Sequence, residues 1–237
     1  MNLPEQIRNA TWAAGLIFLL ILVGFTARAF LMPAFSAETL AEGFARFGDF
    51  HAAGVSEEEL PQIADGIAGF LRGDRDTPQV EVTRHGETQA AFSQRELEHM
   101  PDVKRLADWA GLLWRFGLGL AALLAVLVIR SPFIKDPDLF KLMGKSLLGA
   151  ATAFLLLSAG LVIWAVRDFT GLFYQLHLWL FPNELWQLNP AEHLMIQLMP
   201  EMFFVDYALS SIRRMAWLLL AFPLGAGLWL FPRRRAG

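Results

Sequence analysis

Two short stretches of the chain gather the side chains able to move protons. The first reads Arg95-Glu96-Leu97-Glu98-His99-Met100-Pro101-Asp102-Val103-Lys104. On a helix His99 and Asp102 share a face, so the carboxylate can orient the imidazole and raise its basicity unless Pro101 breaks the turn. Glu96 and His99 also have the spacing of a metal-binding carboxylate and imidazole, but a di-metal bundle needs a second Glu-x-x-His on a facing helix. The sequence has no second such motif, so no metal is expected. The other stretch, Phe173 to Tyr207, holds His177, Asn183, Glu184, Trp186, His193, Glu201 and Asp206 among many aromatic residues.

With no cysteine in 237 residues, thiolate nucleophiles, disulfides and Cys-ligated zinc are excluded. A base or nucleophile must be His, Ser, Asp, Glu, Lys or a group of the substrate. A net charge of -3, with Arg233, Arg234 and Arg235 as the only basic run, argues against nucleic acid as a partner. Arg28 and Arg115 fall inside apolar stretches. Each either snorkels on its long stem or lines a polar cleft, paired with Asp168 or with a substrate carbonyl. His51, His85 and His193 are expected as solvated surface residues.

The elements that must position these groups are membrane helices. The chain is 55% hydrophobic and only 18% charged, too apolar for an ordinary soluble domain. Four stretches approach the roughly 20 helical residues that cross a hydrocarbon core: Thr11 to Met32, Asp108 to Ile129, Met143 to Val166 and Met215 to Phe231, the last containing Pro223. Ala27-Arg28-Ala29 imitates a signal-peptidase site, but the apolar run before it is long for a signal peptide, so the first helix is expected to stay as an anchor.

Arg130, Lys135, Lys141 and Lys145 between the second and third spans, together with the terminal arginines, assign that loop and both termini to the cytoplasm. The predicted organisation is a first membrane helix (1–32), an extracytoplasmic domain (33–106), a second helix (107–130), a cytoplasmic loop (131–142), a third helix (143–166), an extracytoplasmic or interfacial segment (167–214), and a fourth helix with a basic tail (215–237). The fold class is mainly α: an integral membrane bundle of about four helices with a small extracytoplasmic α+β insertion after the first.

The insertion carries its own signals. Ser56-x-x-Glu59 is a capping box, followed by Leu60, Ile63, Ile67, Phe70 and Leu71 at helical spacing and a stop at Arg72-Gly73-Asp74. Leu40, Phe44 and Phe47 after Ser36 predict an earlier helix, and Val80, Val82 and Phe92 flank a His85-Gly86 hairpin turn. Ser93-x-x-Glu96 is a second capping box, opening the segment that leads into the second span. Leu194, Leu198, Met202 and Val205 predict a short helix lying at the membrane surface.

The motifs Glu96-Leu-Glu-His99-Met-Pro-Asp102-Val-Lys104 and Leu-His177-x-x-x-Phe181-x-Asn183-x-x-Trp186-x-Leu-Asn189-Pro190, with Leu194-x-Ile196 and Pro200-Glu201-x-Phe203-Phe204 after them, resemble those of the bacterial lipoprotein intramolecular transacylases. Leu176 stands where that family suggests an aromatic residue, and Glu184 and His193 where it suggests aspartate. The resemblance implies four membrane helices in the bacterial cytoplasmic membrane and an active site at the extracytoplasmic interface. It implies a lipid-modified lipoprotein as substrate, membrane lipids as surroundings, and no cofactor.

The implied reaction moves the sn-2 acyl chain of a diacylglyceryl cysteine to that cysteine's own α-amine. His99 and His177 are then the catalytic candidates, and Asp102, Glu96, Glu201, Arg115, Arg28, Trp186 and Asn183 the supporting ones. Arg115, Arg28, Asn183 and Trp186 are available to stabilise charge on the ester oxygen. The alternative is a non-enzymatic membrane protein whose outer domain binds a partner or senses the envelope. A cleft with His99 and His177 facing one another separates the two, since a binding module has a solid core there. For topology, single cysteines replacing Asp65 and Glu192 should both react with an impermeant reagent in intact cells; labelling of only one contradicts the helix count.

Overall fold

The computed structural model describes residues 5–130 and 137–213. The expected fourth span and basic tail lie outside the described residues. Among the described residues three helices are long and apolar enough to cross a membrane: α1 (Glu5–Leu31), α4 (Gln94–Ile129) and α5 (Pro137–Arg167). Leu16, Phe116, Leu123, Leu155, Leu156 and Ile163 are exposed on their outer faces, the pattern of helices solvated by lipid rather than water. Helix α1 packs against both α4 and α5. Because lipid tails are as apolar as the side chains, such contacts depend on close fit. Gly24 provides it, since a Cβ there would come within 3.1 Å of the Trp114 backbone.

Helix α4 is longer than a bilayer requires. Its 36 residues span roughly 54 Å at 1.5 Å per residue, against about 30 Å of hydrocarbon. Its expected apolar run starts at Asp108, and the segment before it belongs to a head domain, where Glu96, His99 and Met100 are buried. Pro101 lies inside the helix without ending it.

The head is built from α2 (Ala37–Phe47), α3 (Leu60–Arg72), a hairpin of β1 (Glu81–Arg84) and β2 (Glu87–Ala90), the start of α4, α7 (Leu194–Leu198) and a helix over 201–213, here α8. Helix α2 is capped by Ser36, whose hydroxyl accepts from the Thr39 N–H at 3.2 Å. In the Ser56 box the Glu59 carboxylate accepts from the Ser56 N–H at 3.1 Å. The predicted periodic residues of α3 are all buried, as are Leu40 and Phe44 of α2.

The hairpin pairs Glu81 with Ala90 and Arg84 with Glu87. Its turn puts His85 at φ 53° and Gly86 at φ 89°, the double left-handed geometry that matches strand twist. A lone two-stranded hairpin is marginal in water. Here Val80 and Val82 bury one face, and the Gln79 amide bridges the strand ends, accepting from the Phe92 N–H at 2.9 Å and donating to its carbonyl at 2.7 Å.

The second non-membrane segment does not form a separate cap lying on the bilayer. Leu194 and Leu198 are fully buried in one core with Leu40, Phe44, Ile63, Met100 and Phe203. The expected surface stripe stops there, because Met199 leaves helical geometry ahead of Pro200 and Met202 is exposed. Asp206 on α8 pairs with Arg46 on α2 at 3.6 Å. His193 also departs from expectation: it is 8% exposed, and its Nδ1 accepts from the Asn189 N–H at 2.9 Å.

Glu96 joins the two segments. Only 1% exposed, its carboxylate accepts from the Ser93 N–H at 2.7 Å and from the Met195 N–H at 2.6 Å. A buried carboxylate is tolerated only when bonded in this way. Removing it strands the buried Met195 N–H, at about 1–3 kcal/mol, and also breaks the part-buried bond from Ser93. Glu96→Ala should therefore lower head stability by roughly 2–4 kcal/mol on that scale, read as a large drop in detergent melting temperature and earlier proteolysis between residues 180 and 200. An unchanged melting curve would mean that the two segments do not depend on this tie.

Candidate active site

The site forms where the head end of α4 meets α6 (Phe169–Leu180) and the loop after it. Helix α6 begins at Asp168, whose carboxylate accepts from the Gly171 N–H at 2.8 Å; Asp168 is thus a helix cap and not a partner for a buried arginine. Leu178, Trp179 and Leu180 are exposed on α6, while Phe173, His177 and Phe181 recur every four residues along one face. Their rings touch in series, His177 lying 4.1 Å from Phe173 and 5.4 Å from Phe181, centroid to centroid.

Phe181 also meets His99, edge to face, at 5.2 Å. The two histidines thus flank one phenylalanine, 78 positions apart in the sequence yet side by side in the fold. Trp186 covers His177 from another side at 4.9 Å and is met in turn by Tyr174 at 5.2 Å. The loop carrying Trp186 is tied to α4 twice. Asn183 Nδ2 donates to Asp102 Oδ2 at 2.8 Å, and the Arg95 guanidinium donates to the Glu184 carbonyl.

This enclosure sets the charge state of the imidazoles. Burial among rings pushes the His99 pKa down to about 4; a charge on His177 would push it further the same way, and Asp102 only partly opposes the shift. Burial also lowers the His177 pKa, against the pull of its bond to the Phe173 carbonyl. That bond, from Nδ1 at 2.7 Å, fixes a tautomer: a carbonyl can only accept, so Nδ1 carries the proton and Nε2 presents its lone pair. A neutral, oriented imidazole with Nε2 free is a ready general base.

Three buried polar atoms at this junction have no hydrogen-bond partner among the described residues: His99 Nδ1, Trp186 Nε1 and Arg95 Nε. Protein interiors rarely leave such groups unpaired, and sites that receive polar substrates are where they collect. The expected Asp102–His99 hydrogen bond is not made. Asp102 instead accepts from Asn183 and pairs with Arg105 at 3.2 Å, so it acts on His99 through charge.

The remaining candidates lie elsewhere. Glu96 is the tie between segments. Glu201 accepts from the Thr170 hydroxyl at 2.6 Å, near the start of α6 and two turns before His177. Arg28 stands over the Phe35 ring at 5.0 Å. Arg115 follows His99 by 16 residues, about 24 Å along the axis; it is exposed and folds back beside Gly111, with no ion pair or hydrogen bond among the described residues. Its stem reaches toward the head end as a snorkelling arginine does. Among the described residues no group of three His, Asp or Glu side chains could hold a metal ion. Phe173, Phe181 and Arg95 were not among the expected site residues, although the four-residue recurrence about His177 is visible in the sequence.

A mainly helical membrane protein with one buried and one half-buried imidazole at the junction of its bundle and head, both with lowered pKa, has the equipment for acid–base chemistry. The chain belongs to the lipoprotein intramolecular transacylase (Lit) family, whose model matches residues 11–204, and it is accordingly an acyltransferase. A solved structure of the membrane-integral lipoprotein intramolecular transacylase from Bacillus cereus shares the fold, with a TM-score of 0.53 over 93% of this chain and 97% of that one at 15% identity. No curated protein matches the chain in sequence.

Two of the three departures from the family pattern, Glu184 and His193, have local explanations. Glu184 contributes to the site through its backbone carbonyl, which leaves its exposed side chain free to vary. His193 accepts the Asn189 N–H with Nδ1, a bond that a carboxylate oxygen could equally accept.

Imidazole ¹⁵N spectra should show both His99 and His177 neutral at pH 6.5, His177 as the Nδ1–H tautomer, with His99 protonating only near pH 4. The unfolded chain accepts these protons at higher pH than the folded one. Stability of the head should therefore fall as the pH drops from about 6.5 toward 4. A midpoint above 6.5 for either ring would contradict the buried, neutral geometry.

Proposed function

We propose that this chain moves the sn-2 acyl chain of a lipoprotein's diacylglyceryl cysteine from the glyceryl oxygen to the cysteine α-amine, and that His177 and His99 carry the proton transfers. The observation that supports this most is the pair of imidazoles kept neutral against one phenylalanine ring, with His177 Nε2 unbonded.

In the proposed mechanism the amine nitrogen attacks the ester carbonyl carbon as His177 Nε2 removes its proton. The carbonyl electron pair moves onto oxygen and then returns, the bond to the glyceryl oxygen breaks, and the imidazolium gives its proton to that oxygen. One amide and one hydroxyl result, with no net proton change and no cofactor required. His99 offers its unpaired Nδ1 to the amine's other hydrogen, aligning the nucleophile. Amine and ester belong to one molecule, so holding them in contact supplies much of the acceleration. The acyl chains extend among the membrane helices, beside the exposed apolar residues of α6.

Orientation follows from the basic residues between the second and third spans, which favour the cytoplasm. The head and the histidine junction then face the extracytoplasmic side of a bacterial cytoplasmic membrane, where lipoproteins mature.

His177→Ala and His99→Ala should each reduce transfer by about a hundredfold to ten-thousandfold, with protein level and membrane insertion unchanged. The double variant should lose little more than either single one if the pair works as a unit. His51→Ala and His85→Ala, in the exposed parts of the head, should be mild. The readout is mass spectrometry of a lipoprotein amino-terminal peptide from a bacterial strain lacking its own amino-terminal acylation. A diacylglyceryl form that stays unchanged when the wild-type chain is expressed would overturn the activity, and near-normal transfer by both single variants would overturn the roles of the histidines.

A further inference from the structure

Attack on an ester puts negative charge on the carbonyl oxygen, and a site that catalyses it needs a donor aimed there. Of the four donors expected from sequence, three are committed elsewhere. Asn183 Nδ2 is held by Asp102, Arg28 lies over Phe35, and Arg115 is far along α4 from His99. Arg95 is the further cation at the junction, but its guanidinium holds the Glu184 carbonyl, so its role in seating the loop is already evident.

Trp186 differs from all of these. Its ring lies 4.9 Å from that of His177, tilted by 37°, and Tyr174 meets it edge to face at 5.2 Å. The indole Nε1–H is buried and has no hydrogen-bond partner among the described residues. An indole nitrogen can only donate, so it lacks the option of turning to accept. A leucine or phenylalanine would cover His177 without this costly unpaired donor. Its place beside an imidazole with a free Nε2 points to a group that finds its acceptor only when substrate is bound.

We infer that Trp186 is a catalytic residue whose indole N–H donates to the ester carbonyl oxygen as it becomes an oxyanion. The inference rests on the acyl transfer proposed above and adds the group that receives the charge. As the amine nitrogen bonds to the carbonyl carbon, the π electrons move to oxygen and the N–H bond of Trp186 points at them. When the carbonyl re-forms, the glyceryl oxygen departs with the proton from His177. Trp186 neither gains nor loses a proton, so its effect appears in the height of the rate profile and not in its pH dependence.

The test uses the full-length chain in detergent or nanodiscs with a synthetic lipopeptide bearing a free amino-terminal S-diacylglycerylcysteine. Two variants remove the donor: Trp186→Phe, and replacement of Trp186 by 3-benzothienylalanine, which keeps the bicyclic ring and exchanges N–H for sulfur. Each should lower kcat by about a hundredfold to a thousandfold, the usual loss for one such donor, with KM and the pH midpoints nearly unchanged. Binding of a phosphonate lipopeptide that mimics the tetrahedral intermediate should weaken by a similar factor. Activity of the benzothienyl variant within about threefold of wild type would overturn the inference, as would a loss accompanied by shifted pH midpoints, which marks a positioning role through His177. Absence of lyso product from the wild-type chain would instead refute the underlying acyl transfer.

Discussion

The buried carboxylate of Glu96 is the constraint on which the arrangement depends. It closes the capping box that starts α4 and, with its other oxygen, takes the Met195 N–H at the start of α7, 99 positions away. A charge at that depth is stable only while both bonds are made. The start of α4 is therefore locked to the segment that follows α6. His99 lies one turn beyond Glu96, so the same lock sets its height against Phe181. The two ties from Asp102 and Arg95 to the 183–184 loop then close the site over His177.

The aromatic surround has a chemical consequence beyond packing. Phe173, Phe181 and Trp186 displace water from the imidazoles without offering them a counter-charge, and desolvation outweighs the nearby Asp102 in keeping His99 neutral. The end of a helix ordinarily favours a cationic histidine; His177 sits in the last turn of α6 and still has its pKa lowered. A pair of protonated rings here would repel one another and the ammonium group of an incoming amine. Neutral rings suit the proposed base, because a proton arriving from the amine is passed on to the leaving oxygen.

The bundle and the head solve different problems. Helix α1 touches both other spans through close backbone approach, which requires little particular side-chain identity beyond small residues at the crossings. The head is a water-facing core with ordinary apolar burial. The site occupies the seam between them, where α4 passes from one environment to the other and α6 lies alongside. Such a seam gives lipid chains and a polar amino terminus access to the same few side chains. It also accounts for a fold shared with the Bacillus cereus structure at 15% identity, since lipid-facing and core positions accept many apolar residues.

Local signals determined much of this protein from sequence alone. The first three apolar runs, two capping boxes, the periodic face of α3 and the His85-Gly86 turn each depend on neighbours within a few residues, and each is present among the described residues. The candidates His99, His177, Asp102, Asn183 and Trp186 were also legible, because their types and spacing resemble a known pattern. Tertiary structure decided what no local rule encodes. His193 was expected at the surface but is buried, because Asn189 and the head core close around it. Asp102 could orient His99 by spacing alone, but it bonds Asn183, which arrives from 81 positions later. Arg115 and Arg28 were plausible oxyanion donors by composition, yet helix length and the Phe35 ring place them elsewhere. Glu96 proved a structural tie because Met195 presents an N–H to it. For Asp102 and Glu96 the outcome turned on a partner some 80 to 100 positions away, and contacts across that separation leave no periodic trace in the sequence.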